Sequence, residues 1–175
     1  GQYTEALQDY DKAISLDPND ALSYLCRGYA KAESGQYTEA IQDYDKAISL
    51  DPNDALSYLD RGYAKVKLEQ YTEALQDCDK AISLDPQDAR AYLNRGYAKG
   101  ALGQYTEAIQ DYDKVISLDP NDARAYLDRG YAKAGLGQYF DAIQDLEKAL
   151  QLDPNNTDAY DLRKQILQEM NNCNY

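Results

Sequence analysis

Acidic side chains are the most frequent groups in this sequence that could do chemistry, and they recur at regular intervals. Asp pairs such as Asp51 and Asp54 stand between helical segments along the chain. Two nearby carboxylates could act as a general acid and base or hold Ca²⁺, but the Asp-x-Asp-x-Asp-Gly pattern of a calcium loop is absent. Because a group that recurs in turn after turn is a poor candidate for a unique active site, we interpret these residues as helix caps.

Other catalytic and metal-binding residue types are scarce. The sequence has no His, which removes the commonest general base and metal ligand. Its three cysteines, Cys26, Cys78 and Cys173, are far apart and form no Cys-x-x-Cys pair. There is neither a phosphate-binding Gly loop nor a Ser nucleophile motif. We therefore expect no catalytic residue, no metal site and no cofactor.

The charge balance narrows the range of partners. The 31 Asp and Glu outnumber the 18 Lys and Arg, which gives a formal net charge of −13. Such a surface repels phosphate backbones and anionic lipid, so we expect neither a nucleic-acid nor a membrane partner. Unpaired cysteines and the lack of a visible targeting segment favour the cytoplasm. Because the chain begins at Gly1 and not at Met, we expect a fragment or a processed product.

The elements that position these residues come from a repeat. The hexapeptide GQYTEA begins at Gly1, Gly35 and Gly103, and a Pro recurs every 34 residues from Pro18 to Pro154. Self-similarity at one period predicts a stacked array. We predict a single array over residues 1–175: an orphan second helix at 1–20, complete repeats at 21–54, 55–88, 89–122 and 123–156, a capping helix at 157–170 and a tail at 171–175.

Each repeat carries two helical patterns. Asp20 is the predicted N-cap of the first helix, and Gly35 stands where that helix should end. From Tyr37 to Leu50, apolar residues recur at the i, i+3, i+4, i+7 spacing of one helix face. Pro52 disfavours helical geometry in the residue before it and so ends the second helix. Two helices joined by a short turn form an antiparallel hairpin, which must stack on its neighbours to bury its apolar stripe.

The repeat resembles the tetratricopeptide repeat. In residues 21–54 the matching positions are Tyr24, Gly28, Ala40, Tyr44, Ala47 and Pro52. The resemblance implies an all-α fold, a right-handed superhelix (α-solenoid) of stacked antiparallel helix pairs, whose concave groove binds peptide segments. The sequence departs from the family pattern where Arg27, Arg61, Arg95 and Arg129 replace the usual Leu before the Gly.

The side of the first helices opposite their packing face is unusually apolar, and in this family it lines the groove. We predict peptide binding by Leu22, Leu25, Tyr29, Leu56, Leu59, Tyr63, Arg90, Leu93, Asn94, Tyr97, Arg124, Leu127 and Tyr131. The alternative is a ladder in which the Tyr residues 34 apart stack on one another. A subtype of the family clamps a C-terminal carboxylate with Lys and Asn where this chain has Leu25 and Tyr29, so chaperone-tail binding of that sort is not expected.

The repeated Arg residues pose a separate question, because an unpaired charge on the packing face would be costly. The second helices supply Asp residues such as Asp43 and Asp45. We predict that each Arg meets an Asp in its own or a neighbouring hairpin.

The favoured function is therefore a non-catalytic scaffold that binds a protein or peptide. Two alternatives stay open. Residues 1–20 look like a second helix without its first, with the flank of Tyr3, Ala6 and Tyr10 lacking a partner, so the array could stack into a homo-oligomer through this end. The near-identity of the repeats also fits an engineered array without an evolved ligand.

Overall fold

The computed structural model describes residues 2–172, and their side chains from Glu5 onward. Cys173 and the side chain of Tyr3 lie outside that part. The described residues form ten α-helices and no strand. The helices are α1 (Gln2–Leu16), α2 (Ala21–Glu33), α3 (Tyr37–Leu50), α4 (Ala55–Lys67), α5 (Tyr71–Leu84), α6 (Ala89–Ala101), α7 (Tyr105–Leu118), α8 (Ala123–Gly135), α9 (Tyr139–Leu152) and α10 (Thr157–Asn172).

The helices form two compact units, and the boundary between them in the chain falls within α6, between Asn94 and Arg95. In the first unit, α2 packs on α3 and α4 on α5, while α1 contacts α2 and α3 contacts α4. In the second unit, α8 packs on α7 and α9, and α10 packs on α9. Consecutive helices joined by short turns and packed together are antiparallel hairpins. The prediction of an all-α fold of helix pairs is confirmed.

Helix ends lie where the capping residues predicted them. The carboxylate of Asp20 accepts a hydrogen bond from the backbone N–H of Leu22 at 3.2 Å, and α2 ends just before Gly35, whose φ is 77°. Helix α3 spans the predicted Tyr37–Leu50, and Asp51 follows it in extended geometry. Glu69 occupies a turn position and has a φ of 59°. The other repeats have Gly35, Gly103 and Gly137 at the same position, also with positive φ.

Small residues allow the two helices of a hairpin to approach closely. A Cβ built on Gly28 would stand 2.7 Å from Cε1 of Tyr44, and one on Gly96 would stand 2.8 Å from Cε1 of Tyr112. Alanines such as Ala40 and Ala108 are fully buried at the same level. The core is therefore a stack of aromatic or aliphatic side chains on helices that touch through glycine and alanine.

Both ends of the described chain pack on their neighbours. Ala6 and Tyr10 on α1 are partly buried, and burial raises the pKa of the Tyr10 phenol. On α10, Leu162 and Ile166 are buried in the cluster that α9 shares. None of the described helices has the length and apolar character to cross a bilayer.

Candidate functional site

The structure divides the predicted binding residues by exposure. Leu22 is 63% exposed and Tyr29 53% exposed, and other exposed residues of the set are Leu56, Arg90, Tyr97, Arg124 and Tyr131. The partly buried ones are Tyr63, Leu93 and Asn94. The three remaining leucines, Leu25, Leu59 and Leu127, are buried.

Those three buried leucines do not agree with the prediction of an exposed apolar side. Leu25 shares a cluster with Ala40 of α3 and Ala64 of α4, and Leu59 shares one with Ala81 and Ala91. A first helix inside a stack contacts both its own second helix and the next hairpin. Its buried arc is therefore wider than the single stripe that a lone amphipathic helix shows.

The repeated Arg residues are ion-paired, as predicted. The Nε and Nη2 atoms of Arg27 donate to Asp43 at 2.9 and 2.5 Å, and its Nη1 donates to Asp11 at 2.6 Å. Lys31 Nζ lies 2.7 Å from the second oxygen of Asp43. The same arrangement recurs in the Arg61–Asp77–Lys65, Arg95–Asp111–Lys99 and Arg129–Asp145–Lys133 groups. These cations serve the packing between helices.

Tyr63 shows how an aromatic ring on a first helix is covered. Its ring lies edge-on to that of Tyr37, with centroids 6.5 Å apart and an interplanar angle of 76°. The ammonium of Lys67, one helical turn later, lies 5.3 Å from the Tyr63 ring centroid. This tyrosine therefore contacts both an aromatic edge and a cation of its own unit.

A cavity of about 690 Å³ opens in the second unit. Its walls come from α6, α7 and α8, from the start of α10 and from the turn before it. The residues that line it are Tyr97, Gly100, Ala101, Tyr105, Tyr112, Arg124, Leu127, Asp128, Tyr131, Ala132, Asn156 and Asp158. Four of the predicted binding residues are thus brought together here: Tyr97, Arg124, Leu127 and Tyr131.

A missing side chain explains part of this space. A Cβ on Gly100 would have only one atom within 4 Å, the hydroxyl oxygen of Tyr112 at 3.9 Å. The corresponding position of α4 is Val66, which is buried. The third repeat therefore leaves open a volume that a valine fills in the second.

Asp128 gives the cavity a buried acidic group. Its side chain is 14% exposed, and Nε of Arg124 lies 3.4 Å from its Oδ2 atom. Burial raises the pKa of Asp128 to about 6, although Arg124 acts in the opposite direction. Burial also raises the pKa of Tyr112, and the Asp128 carboxylate adds to that effect. In the first unit, burial likewise raises the pKa of Asp60 to about 6.

Several cavity residues were not predicted from the sequence. Tyr112, Asp128, Asn156 and Asp158 all line the space. One signal in the sequence could have indicated Asp128. The residue at its position differs between repeats, and the other three carry Cys26, Asp60 and Asn94 there. Within residues 2–172 no three Cys, Asp or Glu side chains are arranged to hold a metal ion.

Known proteins share this architecture. The family model described as "TPR repeat" matches residues 1–33, 28–68, 62–103 and 100–137, and the one described as "Tetratricopeptide repeat" matches 123–156. The crystal structure of MamA is 30% identical, covers 88% of this chain and 90% of that chain, and superposes with a TM-score of 0.81. The comparison with curated proteins returned no match.

Two further structures concern peptide binding. YrrB, described as a TPR protein with an unusual peptide-binding site, is 28% identical over 93% of this chain and 84% of that chain, with a TM-score of 0.81. The first TPR of Spaghetti (RPAP3), bound to the HSP90 peptide SRMEEVD, is 29% identical over 69% of this chain and 95% of that chain, with a TM-score of 0.65. The family matches together cover nearly the whole sequence, and the chain belongs to the tetratricopeptide-repeat family.

Proposed function

We propose that this protein is a non-catalytic interaction module that binds a peptide or protein segment on the exposed side of its first helices. The observation that carries the proposal is the cavity of about 690 Å³ in the second unit. Its volume falls in the usual range of about 300–1,000 Å³ for ligand sites. Tyr97 and Tyr131 at its walls are 40% and 47% exposed, and tyrosine is well suited to such surfaces because it presents both a ring and a hydroxyl.

The first unit supplies further exposed apolar surface for the same role. Leu22, Tyr29 and Leu56 are all exposed on first helices. Exposed apolar side chains that recur on one side of successive helices are typical of an interaction surface. The buried leucines hold these helices in place and are not part of the proposed contact surface.

The ligand is expected to differ from the acidic peptide bound by the RPAP3 domain. Leu25, at one of the two carboxylate-clamp positions, is a buried apolar residue here, and Tyr29 stands at the other. Members of the family commonly mediate protein–protein interaction and are generally non-catalytic. We therefore extend only the mode of binding to this chain, and not the identity of the relatives' ligands.

A random dodecapeptide phage library tests the proposal. Selection on the unmodified protein should enrich peptides, and purified peptides should bind with measurable affinity by fluorescence anisotropy. Gly100→Val should weaken binding at least about tenfold, because the valine occupies cavity volume as Val66 does in α4. Gln110→Val, at an exposed position of α7 outside the cavity, is the matched control and should bind normally.

Two results would contradict the proposal. Failure of the library to enrich any peptide on the unmodified protein is one, and equal binding by Gly100→Val is the other. Mass measured against concentration, by light scattering, separates peptide recognition from the alternative of self-assembly, in which mass rises with concentration. An array without an evolved ligand would neither enrich peptides nor self-associate.

A further inference from the structure

We propose that the bound segment is basic, and that one of its lysine or arginine side chains enters the cavity of the second unit. This inference rests on the proposed function and specifies its ligand class. Three independent features carry it: the aromatic walls of the cavity, its excess of carboxylates, and a lysine of the chain itself that occupies the equivalent position in the first unit.

The walls of the cavity are rich in tyrosine. Tyr97, Tyr105, Tyr112 and Tyr131 all line the same cavity. The face of an aromatic ring carries partial negative charge, so it attracts an ammonium or guanidinium group within about 6 Å of the ring centroid. The aliphatic stem of a lysine or arginine packs well against Leu127 beside these rings.

The charged groups of the cavity favour a cation. Asp128 and Asp158 line it, and the one cation among the lining residues is Arg124. The guanidinium of Arg124 contacts Asp128 at 3.4 Å, and its side chain is 56% exposed. Burial raises the pKa of Tyr131, and the carboxylates of Asp158, Asp128 and Asp161 raise it further. The potential around this hydroxyl is therefore negative, which attracts a basic side chain and repels an acidic one.

In the first unit, a lysine of the chain lies beside the tyrosine ring that is equivalent to Tyr97. Lys67 Nζ lies 5.3 Å from the ring centroid of Tyr63, four residues before it. Tyr97 corresponds to Tyr63 at the repeat spacing, but the residue four positions after it is Ala101, which lines the cavity. At this position the second unit therefore has an alanine that lines the cavity, where the first unit has a lysine.

The library selection described above tests the chemistry directly. Peptides selected on the unmodified protein should be enriched in Lys and Arg over the unselected library. Replacement of the basic residue by Gln in a selected peptide, which removes the charge but keeps a flexible polar side chain, should weaken binding at least about tenfold. Asp158→Asn should weaken the basic peptide severalfold and leave the Gln peptide unaffected.

Ala101→Lys is the most specific test. It copies Lys67 at the equivalent place and supplies the proposed cation from the chain itself, so binding of the basic peptide should fall at least about tenfold. Ala101 is exposed at the end of α6, so the substitution should not disturb folding. Gln110→Lys adds the same charge on the exposed side of α7 and is the control for a general electrostatic effect.

The outcomes separate this inference from the proposed function. If the selected peptides are acidic or uncharged, or if the Gln peptide binds as well as the basic one, the basic-ligand inference is wrong while peptide recognition stands. If Ala101→Lys and Gln110→Lys weaken binding equally, the basic segment recognises the net charge and not the cavity. If no peptide is enriched at all, both proposals fail.

Discussion

Substitution of Asp128 by Asn should stabilise the protein, and more so at higher pH. Asp128 is mostly buried, and Arg124 at 3.4 Å compensates only part of the cost of burying its charge. Burial raises its pKa to about 6, so the folded protein holds the proton more tightly than the unfolded chain does. An amide has no charge to desolvate. The equivalent position of the third repeat already carries an amide side chain, that of Asn94.

The sign and size of this effect on the free energy of unfolding follow from proton linkage. Below the unfolded pKa of 3.8 the carboxyl is neutral in both states and its charge costs nothing. Between 3.8 and about 6 the unfolded chain releases the proton that the folded protein retains, so stability falls, and above about 6 the loss is complete. The rise in pKa corresponds to a loss of about 3 kcal/mol at pH 8, and the same relation gives roughly half of that at pH 5. The advantage of Asp128→Asn should therefore grow by roughly 1 kcal/mol between these pH values.

Urea unfolding followed by circular dichroism at pH 5 and pH 8 measures this difference. Asp60→Asn, at the equivalent position of α4, should behave in the same way because its pKa is also raised to about 6. Glu147→Gln changes an exposed carboxylate of α9 and should show little difference between the two pH values. The reasoning is refuted if Asp128→Asn is less stable than the unmodified protein at pH 8, or if its advantage does not depend on pH.

Five other substitutions test the packing and the turns of the repeats by thermal or urea unfolding. Gly96→Ala should destabilise because the new Cβ would meet an aromatic carbon at 2.8 Å, whereas Gly62→Ala, with a sulfur at 3.3 Å, should be neutral or stabilising by up to about 1 kcal/mol. Equal effects of the two would contradict this. Asp145→Ala leaves an arginine and a lysine without their shared acceptor and should cost about 3 kcal/mol, so an unchanged midpoint would argue against a structural role. Glu69→Gly should stabilise, and Gly103→Ala should destabilise by about 1 kcal/mol, because both positions have positive φ; opposite signs would refute the strain.

The sequence predicted the parts of the fold that depend on local chemistry. The end of α2 before Gly35 and the full extent of α3 could be read from turn residues and helical periodicity. The pairing of Arg27 with Asp43 could also be predicted, because a charge on the packing face requires a partner. Each of these features is fixed by residues within one repeat or in the next.

The candidate site was harder to predict from the sequence than the fold, because it depends on several helices at once. A helical projection placed Leu25 with Tyr29 on one side, yet Leu25 is buried by α3 and α4 while Tyr29 remains exposed. The cavity depends on the volume that Gly100 leaves next to Tyr112, and the burial of Asp128 depends on the surrounding helices. Such differences arise from the packing of side chains that are far apart in sequence.

The ion pairs of the arginines have a consequence for how such a chain can evolve. Arg27, Arg61 and Arg129 each contact one Asp that lies 16 residues earlier and another that lies 16 residues later. The distance in sequence between the two Asp residues is shorter than one repeat. Both the arginines and their Asp acceptors recur with the repeat period. Unequal recombination that adds or deletes a whole repeat therefore restores every such pair at the junction. Copy number can change in a single genetic event without burying an orphaned charge.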